Sequence, residues 1–468
     1  MKREKFGIVL PIVLLSYFMI VLDNSIIFTS TAKIGADLSL NTQALAWITN
    51  AYALTFGGFL LFSGKAGDIF GRKRFFMIGL VIFSISSLLV GLSPNGPMMI
   101  AMRAVQGIGS SILAPSTLAL LMDNYNESMR TKAIAYYGAT GGLGASFGLV
   151  IGGLISTYSS WRIAFLINVP IGIAMIVLSV KYLSASNKFS QKIDVLGTIF
   201  SVLGVSAFVY SIDGTVYRLP ALVIAIISLI LFVLQERRSV SPIMPLTLFK
   251  DTERKYAYLT RFFFIAVGMA YFFLTPLAMQ RVYNFTPLMA AIGFLPETVP
   301  QFIAATVVTR ITDSVKTSTI IFVGTALMFV GALLAAVVRI QAGYWLAIAI
   351  PMVILGIGQG MALGTLTIAG VAHTTPEMSG SASGVVNAIH QIGGSVGLSV
   401  VVALTASYIQ PTAAYNVQMI WITILSAVAV LFSLGIIKGE KQPKKETTEE
   451  QSRNKNLNLE LDESIKQN

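Results

Sequence analysis

The chain has 468 residues, of which 55% are hydrophobic and 12% are charged. A soluble domain carries about 25% charged residues, so this composition excludes a soluble enzyme and a disordered chain. The formal charge of +12 would suggest nucleic-acid binding only if the basic residues formed one soluble face, and they are instead scattered through short segments. The sequence therefore predicts a polytopic protein that lies in the lipid bilayer and binds no nucleic acid.

Several kinds of chemistry lack the residues that they need. The chain has no Cys and two His, so we expect no disulfide, no thiolate site and no metal site. No serine–histidine–acid constellation is recognisable, so we expect no enzyme activity. No phosphate-binding G-x-x-x-x-G-K-[ST] loop occurs, so ATP drive within this chain is unsupported and we expect no cofactor.

Apolar runs bounded by charged residues, Gly or Pro predict fourteen membrane-spanning helices. The basic, apolar N-terminus is similar to a signal peptide but lacks a small-residue cleavage site, so we expect an uncleaved first span. An even number of spans puts both termini on one side. The predicted helices lie near residues 7–32, 43–63, 75–94, 97–122, 132–156, 162–182, 194–212, 219–235, 256–279, 287–309, 317–338, 343–367, 380–407 and 416–437.

The basic residues indicate the orientation of these spans. Of the 33 Lys and Arg residues, 26 lie on the predicted side of the two termini, while Arg103 and Arg261 lie within spans. Because short loops with basic residues stay in the cytoplasm, we expect a multi-pass protein of the cell membrane with both termini cytoplasmic. The five basic residues on the other side are Lys33, Arg162, Arg218, Arg281 and Arg339.

Residues 64–74, GKAGDIFGRKR, follow the second predicted span. We expect them to form the cytoplasmic turn to the third span, where Gly64 and Gly71 allow close backbone approach. Asp68 can pair with a basic residue or with a helix N-terminus across the bundle and so latch one conformation, and Arg72 belongs to the same motif. The alternative is a basic loop that only sets the orientation in the membrane.

This segment resembles the G-x-x-x-D-x-x-G-R-[KR] signature of the major facilitator superfamily. Residues 22–27 (LDNSII) and 103–109 (RAVQGIG) resemble the first-span and fourth-span motifs of its fourteen-span drug/proton antiporters. Residues 161–170 (WRIAFLINVP) are similar to the segment that opens span six in that branch. The resemblance covers roughly residues 10–410 and extends to the quaternary-ammonium-type multidrug exporters.

The resemblance implies an all-α membrane protein with the major facilitator fold: two six-helix bundles plus two additional central helices. On the predicted spans, the N-terminal bundle covers residues 1–182 and the C-terminal bundle covers 256–437. Residues 183–255 hold the two inserted helices and a cytoplasmic linker. Residues 438–468 lack apolar periodicity, so we expect a disordered cytoplasmic tail. We expect a monomer whose substrate site lies near the midplane and is exposed alternately to each side.

Asp23 and Arg103 are the first candidates for proton coupling. An unpaired charge in span four would cost several kcal/mol, so we expect Arg103 to face the protein interior with Asp23 as its partner. Gln106 lies on the same polar face of that helix. We predict that Asp23 gains and loses the proton while Arg103 tunes its affinity. The alternative is a static ion pair that fixes the helix register.

Glu297 is the other acidic residue predicted within a span and the third candidate for proton coupling. Pro296 and Pro300 flank it and weaken the local helix, which predicts a kink in span ten. The carboxylate there can bind a proton or pair with a cationic substrate. The alternative is a well-solvated Glu297 near the outer surface.

Glycines recur at four-residue spacing in span five, at Gly144, Gly148 and Gly152, and Gly153 follows. Small residues at this period let two helices approach closely and slide. The pattern resembles the antiporter motif G-x-x-x-G-P-x-x-G-G, from which this chain departs at Leu149, where the motif has proline. A moving interface and simple packing are both open, and the glycines of span thirteen are the expected counterpart.

Polar side chains at membrane depth need a partner or water, so we expect several to line a substrate cavity between the bundles. For His390, an interhelical hydrogen bond and proton relay are both open. Trp47 and Tyr52 can stack on flat cations, although aromatic residues also anchor helices at the membrane interface. The predicted substrate-binding residues are Asn24, Trp47, Tyr52, Gln106, Gln359, Asn387 and His390.

Together with the resemblance, these residues predict a proton-coupled multidrug exporter that confers antibiotic resistance. Its expected partners are protons and small, drug-like molecules, either amphipathic or cationic, and its energy source is the proton gradient. One alternative is an exporter dedicated to a single metabolite, lipid or peptide. A more distant one is a receptor or enzyme that shares the fold without transporting anything.

Overall fold

A computed structural model describes residues 6–125, 127–184, 194–214, 216–240, 242–312, 314–374 and 376–440. Thirteen helical segments within these ranges are long and apolar enough to cross a membrane. Two of these segments consist of two consecutive α-helices each, α6 with α7 and α11 with α12. Helix α5, with 32 residues, completes the fourteen expected spans. The helices are α1 (Val9–Asp37), α2 (Thr42–Phe70), α3 (Arg72–Gly91), α4 (Gly96–Asn124), α5 (Glu127–Tyr158), α6 (Trp161–Leu166), α7 (Asn168–Tyr182), α8 (Val195–Asp213), α9 (Arg218–Arg238), α10 (Thr252–Val282), α11 (Pro287–Ile292), α12 (Leu295–Ile311), α13 (Thr317–Val338), α14 (Ile350–Gly370), α15 (Pro376–Thr405) and α16 (Pro411–Gly439).

Two groups of helices pack by the same pattern. In the first group, α1 to α7, α4 packs against α2 and α3 while α1 packs against α5. In the second group, α10 to α16, α14 packs against α12 and α13 while α10 packs against α15. The inserted helices α8 and α9 pair with each other, and α8 also contacts α2 and α15, where the two groups meet. The expected fold of two bundles plus two helices is therefore confirmed.

Helix boundaries follow local sequence signals. Asn41 accepts a hydrogen bond from the Ala44 N–H at the start of α2, and Asn95 does the same for Met98 at the start of α4. The turn between α2 and α3 is a single residue, Gly71, whose φ of +91° suits glycine.

The expectation that Gly64 lies in this turn is wrong, because α2 continues as a helix to Phe70. A reversal at Gly71 alone leaves Gly64 inside the helix, where its nearest neighbour is the Pro115 side chain of α4. Long basic side chains such as Lys65 are accommodated at the end of a helix as readily as in a loop.

The prolines around Glu297 interrupt their span. The chain leaves the helical pattern between α11 and α12, at Gly293 and Phe294, immediately before Pro296 in the first turn of α12. Pro296 has no N–H to donate to the Ile292 carbonyl, which agrees with a break at this point. The predicted distortion of span ten is confirmed and takes the form of a helix break.

The glycines of α5 lie against α1, the helix that carries Asp23. A β-carbon at Gly144 would meet Val21, one at Gly148 would meet Ser25, and one at Gly152 would meet Ile26. In the second group, Gly397 of α15 lies equally close to α10. Small residues thus bring α5 onto α1 at the depth of Asp23.

Gly153 points in another direction and contacts α11 of the second group. Nearby, the Leu288 N–H donates to Thr157 Oγ1 at 2.9 Å, and Arg281 Nη1 donates to Thr42 Oγ1 at 2.9 Å. We call the face that carries Phe6, Asp123 and Glu440 the terminal face, and the other one the opposite face. The contacts described above hold the two groups together at the opposite face.

Replacing Gly148 with alanine is expected to lower the free energy of unfolding by about 1–3 kcal/mol, the usual cost of overpacking. The added β-carbon would lie 2.6 Å from Ser25 Cβ, so α5 would have to move away from α1. Gly364→Ala is the matched control, because nothing lies within 4 Å of its β-carbon position. Thermal unfolding in detergent measures both variants, and equal melting temperatures would contradict the close α1–α5 contact.

Candidate functional site

A buried ion pair joins α1 to α4. Arg103 Nη1 donates to Asp23 Oδ2 at 2.5 Å, and both side chains are 0% exposed. α4 also packs closely on α2, because Gly107 lies directly against the α2 backbone. The predicted partnership of Asp23 and Arg103 is present in the structure.

Neutral side chains complete the shell of Asp23. Its Oδ1 accepts hydrogen bonds from Gln106 Nε2 and from Asn168 Nδ2, each at 2.9 Å. Both amides also donate to Ser87 Oγ of α3, at 3.2 Å and 2.9 Å. Four elements, α1, α3, α4 and the start of α7, therefore meet on one carboxylate. We call Asp23, Ser87, Arg103, Gln106 and Asn168 the Asp23 cluster.

Aromatic rings and backbone enclose the guanidinium of Arg103. Its Cζ lies 4.2 Å from the centroid of the Tyr52 ring, a cation–π distance, and Nε donates to the Ile48 carbonyl at 3.3 Å. The Tyr52 hydroxyl donates in turn to Ser110 Oγ at 2.8 Å. This arrangement shields the ion pair from water, which strengthens the attraction and makes loss of either charge costly.

A central cavity of about 1080 Å³ lies between the two groups of helices. Its lining combines aromatic and aliphatic side chains with neutral polar ones and includes Asn24, the residue after Asp23. It extends to Lys65, Arg72 and Ile243 on the terminal face. A cavity of this volume can hold a drug-sized molecule.

The structure separates the predicted substrate-binding residues into two sets. Tyr52 and Gln106 surround the ion pair and do not line the cavity. Trp47 packs against Tyr210 of α8, with 5.6 Å between the ring centroids. A substrate role for these three stays a prediction. The four that line the cavity are Asn24, Gln359, Asn387 and His390.

Glu297 lies at the start of α12 and is 0% exposed, so the alternative of a well-solvated carboxylate is wrong. Its Oε1 accepts a hydrogen bond from Gln359 Nε2 of α14 at 2.7 Å, while Oε2 has no hydrogen-bond partner among the described residues. Gly356 lies directly against the Glu297 backbone, which brings α14 close enough for this contact. Within the described chain no basic side chain pairs with it.

His390 and Arg261 form a second polar contact on the cavity wall. Arg261 Nη2 lies 3.1 Å from His390 Nδ1, and Nη1 donates to the Leu363 carbonyl at 2.7 Å and to Thr367 Oγ1 at 3.0 Å. Because a guanidinium can only donate, Nδ1 must be the acceptor and the proton of a neutral His390 ring must lie on Nε2. The interhelical hydrogen bond, one of the two predicted roles of His390, is therefore present.

The motif at the end of α2 contacts both the first group of helices and the segment between α9 and α10, where Lys65 Nζ donates to the Pro242 carbonyl at 2.9 Å. Arg72 Nη1 pairs with Asp123 Oδ1 at the end of α4. The Asp68 side chain, predicted to form a latch, lies outside the described residues. The roles of Gly64, Asp68, Gly71 and Arg72 in conformational change stay predictions.

Some residues of the site were not predicted from the sequence. Asn168 lies within the 161–170 motif, two residues before Pro170. A polar amide within an apolar span was the sequence signal that could have indicated it. Ser87 carried no signal beyond a hydroxyl within a span. Asp213, 1% exposed at the end of α8, is a further buried acid, and its signal was a carboxylate at the end of an apolar run.

Comparisons with known proteins agree with this geometry. A family model described as Major Facilitator Superfamily matches residues 13–398. The chain is 32% identical over 399 residues to an uncharacterized MFS-type transporter, EfpA of Mycobacterium tuberculosis, covering 82% of this chain and 74% of that protein. It is 30% identical over 405 residues to the cephamycin export protein CmcT of Amycolatopsis lactamdurans, covering 84% and 83%. Further relatives are named as antibiotic-resistance and multidrug-resistance proteins.

Solved structures show the same fold. A POT family transporter crystallised with 5-aminolevulinic acid superposes with a TM-score of 0.70 at 15% identity, covering 93% of this chain and 96% of that one. At this identity the likeness concerns the fold alone. Since the family model spans most of the chain and the helices pack as two equivalent groups, this protein belongs to the Major Facilitator Superfamily.

Proposed function

We propose that this protein is a proton-coupled exporter of amphipathic, drug-like compounds, antibiotics among them. The observation that carries the proposal is the position of Asp23: its carboxylate is sealed from water, and the next residue, Asn24, lines a cavity of drug size. Proton binding at Asp23 and substrate binding at Asn24 can therefore influence each other, because the two residues are adjacent in α1.

The export function rests on the relatives. CmcT is named as an export protein for an antibiotic, and other relatives are named for resistance to antibiotics or to many drugs. A cavity with a largely apolar lining and scattered neutral polar groups suits molecules of varied shape. Small, drug-like molecules are accordingly the proposed substrates.

Alternating access follows from the two groups of helices. The cavity reaches the terminal face, while contacts such as Leu288 to Thr157 close the opposite face. We propose that the protein is a monomer in the cell membrane with both termini cytoplasmic, so that this state faces the cytoplasm. Rocking of the groups would close the terminal face and open the other.

Coupling arises from the charge of the Asp23 cluster. In the present state the carboxylate accepts three hydrogen bonds, one from Arg103 and two from amides. A proton on Asp23 would cancel the charge that orients these donors and so favour a different arrangement of α1 and α4. Substrate and proton are then linked through one conformational equilibrium, which is what antiport requires.

Glu297 is proposed as a second proton site. An ionised carboxylate buried without a cation is costly, and a proton removes that cost. Its contact with Gln359, which lines the cavity, gives it a direct connection to the substrate.

Asp23→Asn is expected to abolish proton-driven export, with at least a tenfold loss of the rate. Asparagine keeps the shape of the side chain but cannot exchange a proton, and it leaves Arg103 without its counter-charge. The measurement is efflux of an amphipathic dye panel from proteoliposomes with and without an imposed pH gradient. Downhill movement without a gradient is expected to persist.

The double variant Asp23→Asn/Arg103→Gln separates folding from coupling. Removing one partner of a buried ion pair costs about 3–5 kcal/mol, and removing both avoids the unpaired charge. The double variant should therefore regain thermal stability without regaining coupled export. Full gradient-driven export by Asp23→Asn would remove Asp23 from the mechanism.

Glu297→Gln tests the second site. The amide oxygen can still accept from Gln359, so we expect normal folding and substrate binding, with a lower number of protons moved per substrate. Reversal potentials in proteoliposomes at a series of pH gradients give this ratio. An unchanged ratio would exclude Glu297 as a coupling group.

A further inference from the structure

We infer that the cavity binds amphipathic molecules that carry a carboxylate, and that Arg261 holds this group. The inference rests on the proposed function and names the chemical class of its substrates. It differs from the expectation of cationic substrates, which came from the family resemblance.

Arg261 is a cation without an anion. Its side chain lies on α10 and is 5% exposed, and it lines the cavity. Its contacts are a backbone carbonyl, a hydroxyl and the neutral ring of His390. Among the described residues no carboxylate lies within 4.0 Å of it, and Nε has no hydrogen-bond partner.

Arg103 provides the comparison within the same chain. Both arginines lie in the membrane-spanning region and are almost fully buried. Arg103 has Asp23 as an internal counter-charge and does not line the cavity. Arg261 lacks an internal counter-charge and does line it. The hydrogen bonds of Arg261 go to neutral acceptors and its Nε has none, so a carboxylate in the cavity is the counter-charge that we infer for it.

The other charged groups of the cavity have the same sign. Lys65 and Arg72 lie at the terminal face, and none of the described lining residues is acidic. The buried acid Glu297 does not line the cavity, and its Oε1 accepts a hydrogen bond from Gln359. Arg72 is already paired with Asp123, so the positive charge that the cavity offers a ligand is centred on Arg261, and it favours an anion over a cation there.

The remaining lining describes the body of the ligand. Aromatic rings of both groups of helices face the cavity, at Phe28 of α1 and at Phe264 and Phe272 of α10. They can cover a flat apolar body while its carboxylate reaches Arg261. Zwitterionic and anionic aromatic amphiphiles fit this combination, because neutral amides nearby can solvate a second polar group.

Rhodamine 110 and rhodamine 123 are a matched pair of probes. They share one aromatic ring system with a cationic xanthene, and differ in a free carboxylate on the former and a methyl ester on the latter. Equilibrium binding to the purified, detergent-solubilised protein is measured by fluorescence anisotropy at neutral pH. We expect the wild type to bind rhodamine 110 at least about tenfold more tightly, the contribution of one charge-assisted hydrogen bond.

Variants identify the residue responsible. Arg261→Gln should remove the preference by weakening the binding of rhodamine 110 at least about tenfold, whereas Arg261→Lys should retain part of the preference. Arg310→Gln is the control, because Arg310 is exposed at the end of α12 and outside the cavity. Thermal unfolding confirms that each variant is folded.

Three results would each overturn the inference. The wild type binds the ester as tightly as the acid, the wild type binds neither dye, or the Arg261→Gln variant keeps the full preference. The assay needs no proton gradient and no transport. Loss of gradient-driven export in the wild type would contradict the proposed function while leaving the binding result intact, so the two failures are distinguishable.

Discussion

The ion pair between Asp23 and Arg103 sets conditions that the surrounding structure meets. Two opposite charges buried in a membrane are stable only when their remaining donors and acceptors also find partners. Gln106 and Asn168 donate to the carboxylate, and the ring of Tyr52 covers the guanidinium, whose Nη2 is the one donor of this group without a hydrogen-bond partner among the described residues. The glycines of α5 serve the same end, because they let that helix cover α1 at this depth without an intervening layer of side chains. In the first group of helices, close packing is therefore what keeps the ion pair buried.

The second group balances its charges differently. Glu297 and Arg261 are both buried, yet each lacks an oppositely charged neighbour in the described chain. Both contact α14, Glu297 at Gln359 and Arg261 at the Leu363 carbonyl, one helical turn apart and about 6 Å along the axis. A buried charge without an oppositely charged neighbour is a favourable place for a proton or an ionic ligand to bind. The proposed proton at Glu297 and the proposed carboxylate at Arg261 would each provide the missing opposite charge. In the first group, by contrast, the charge can change only by breaking a satisfied pair.

The fold was predictable from the sequence to a large extent, because long apolar runs and the distribution of basic residues constrain a membrane protein strongly. Span eleven, predicted at 317–338, is helix α13 at Thr317–Val338. The Asp23–Arg103 partnership was also predictable, since charges within spans must pair. Gly64 was misplaced because charge patterns do not reveal whether a helix continues beyond the membrane. Tyr52 and Gln106 were assigned to the cavity because polarity shows that a side chain needs a partner but not which partner it finds. Asn168 illustrates the same limit: only packing brings α7 to Asp23.

The hydrogen bonds that close the opposite face are few. Those recorded between the two groups on the closed side of the cavity in the described chain are Arg281 to Thr42, Leu288 to Thr157, Gln280 to the Thr29 carbonyl at 3.2 Å and Asn50 Nδ2 to Ser399 Oγ at 2.7 Å, and none is an ion pair. A single hydrogen bond contributes a net of about 0.5–1.5 kcal/mol, so these four together contribute a few kcal/mol. Allosteric coupling energies are typically about 1–3 kcal/mol per ligand, which is the same scale. The buried ion pair, by comparison, lies wholly within one group and is not broken when the groups separate. The charge of Asp23 can therefore change on protonation without an ion pair between the two groups having to break.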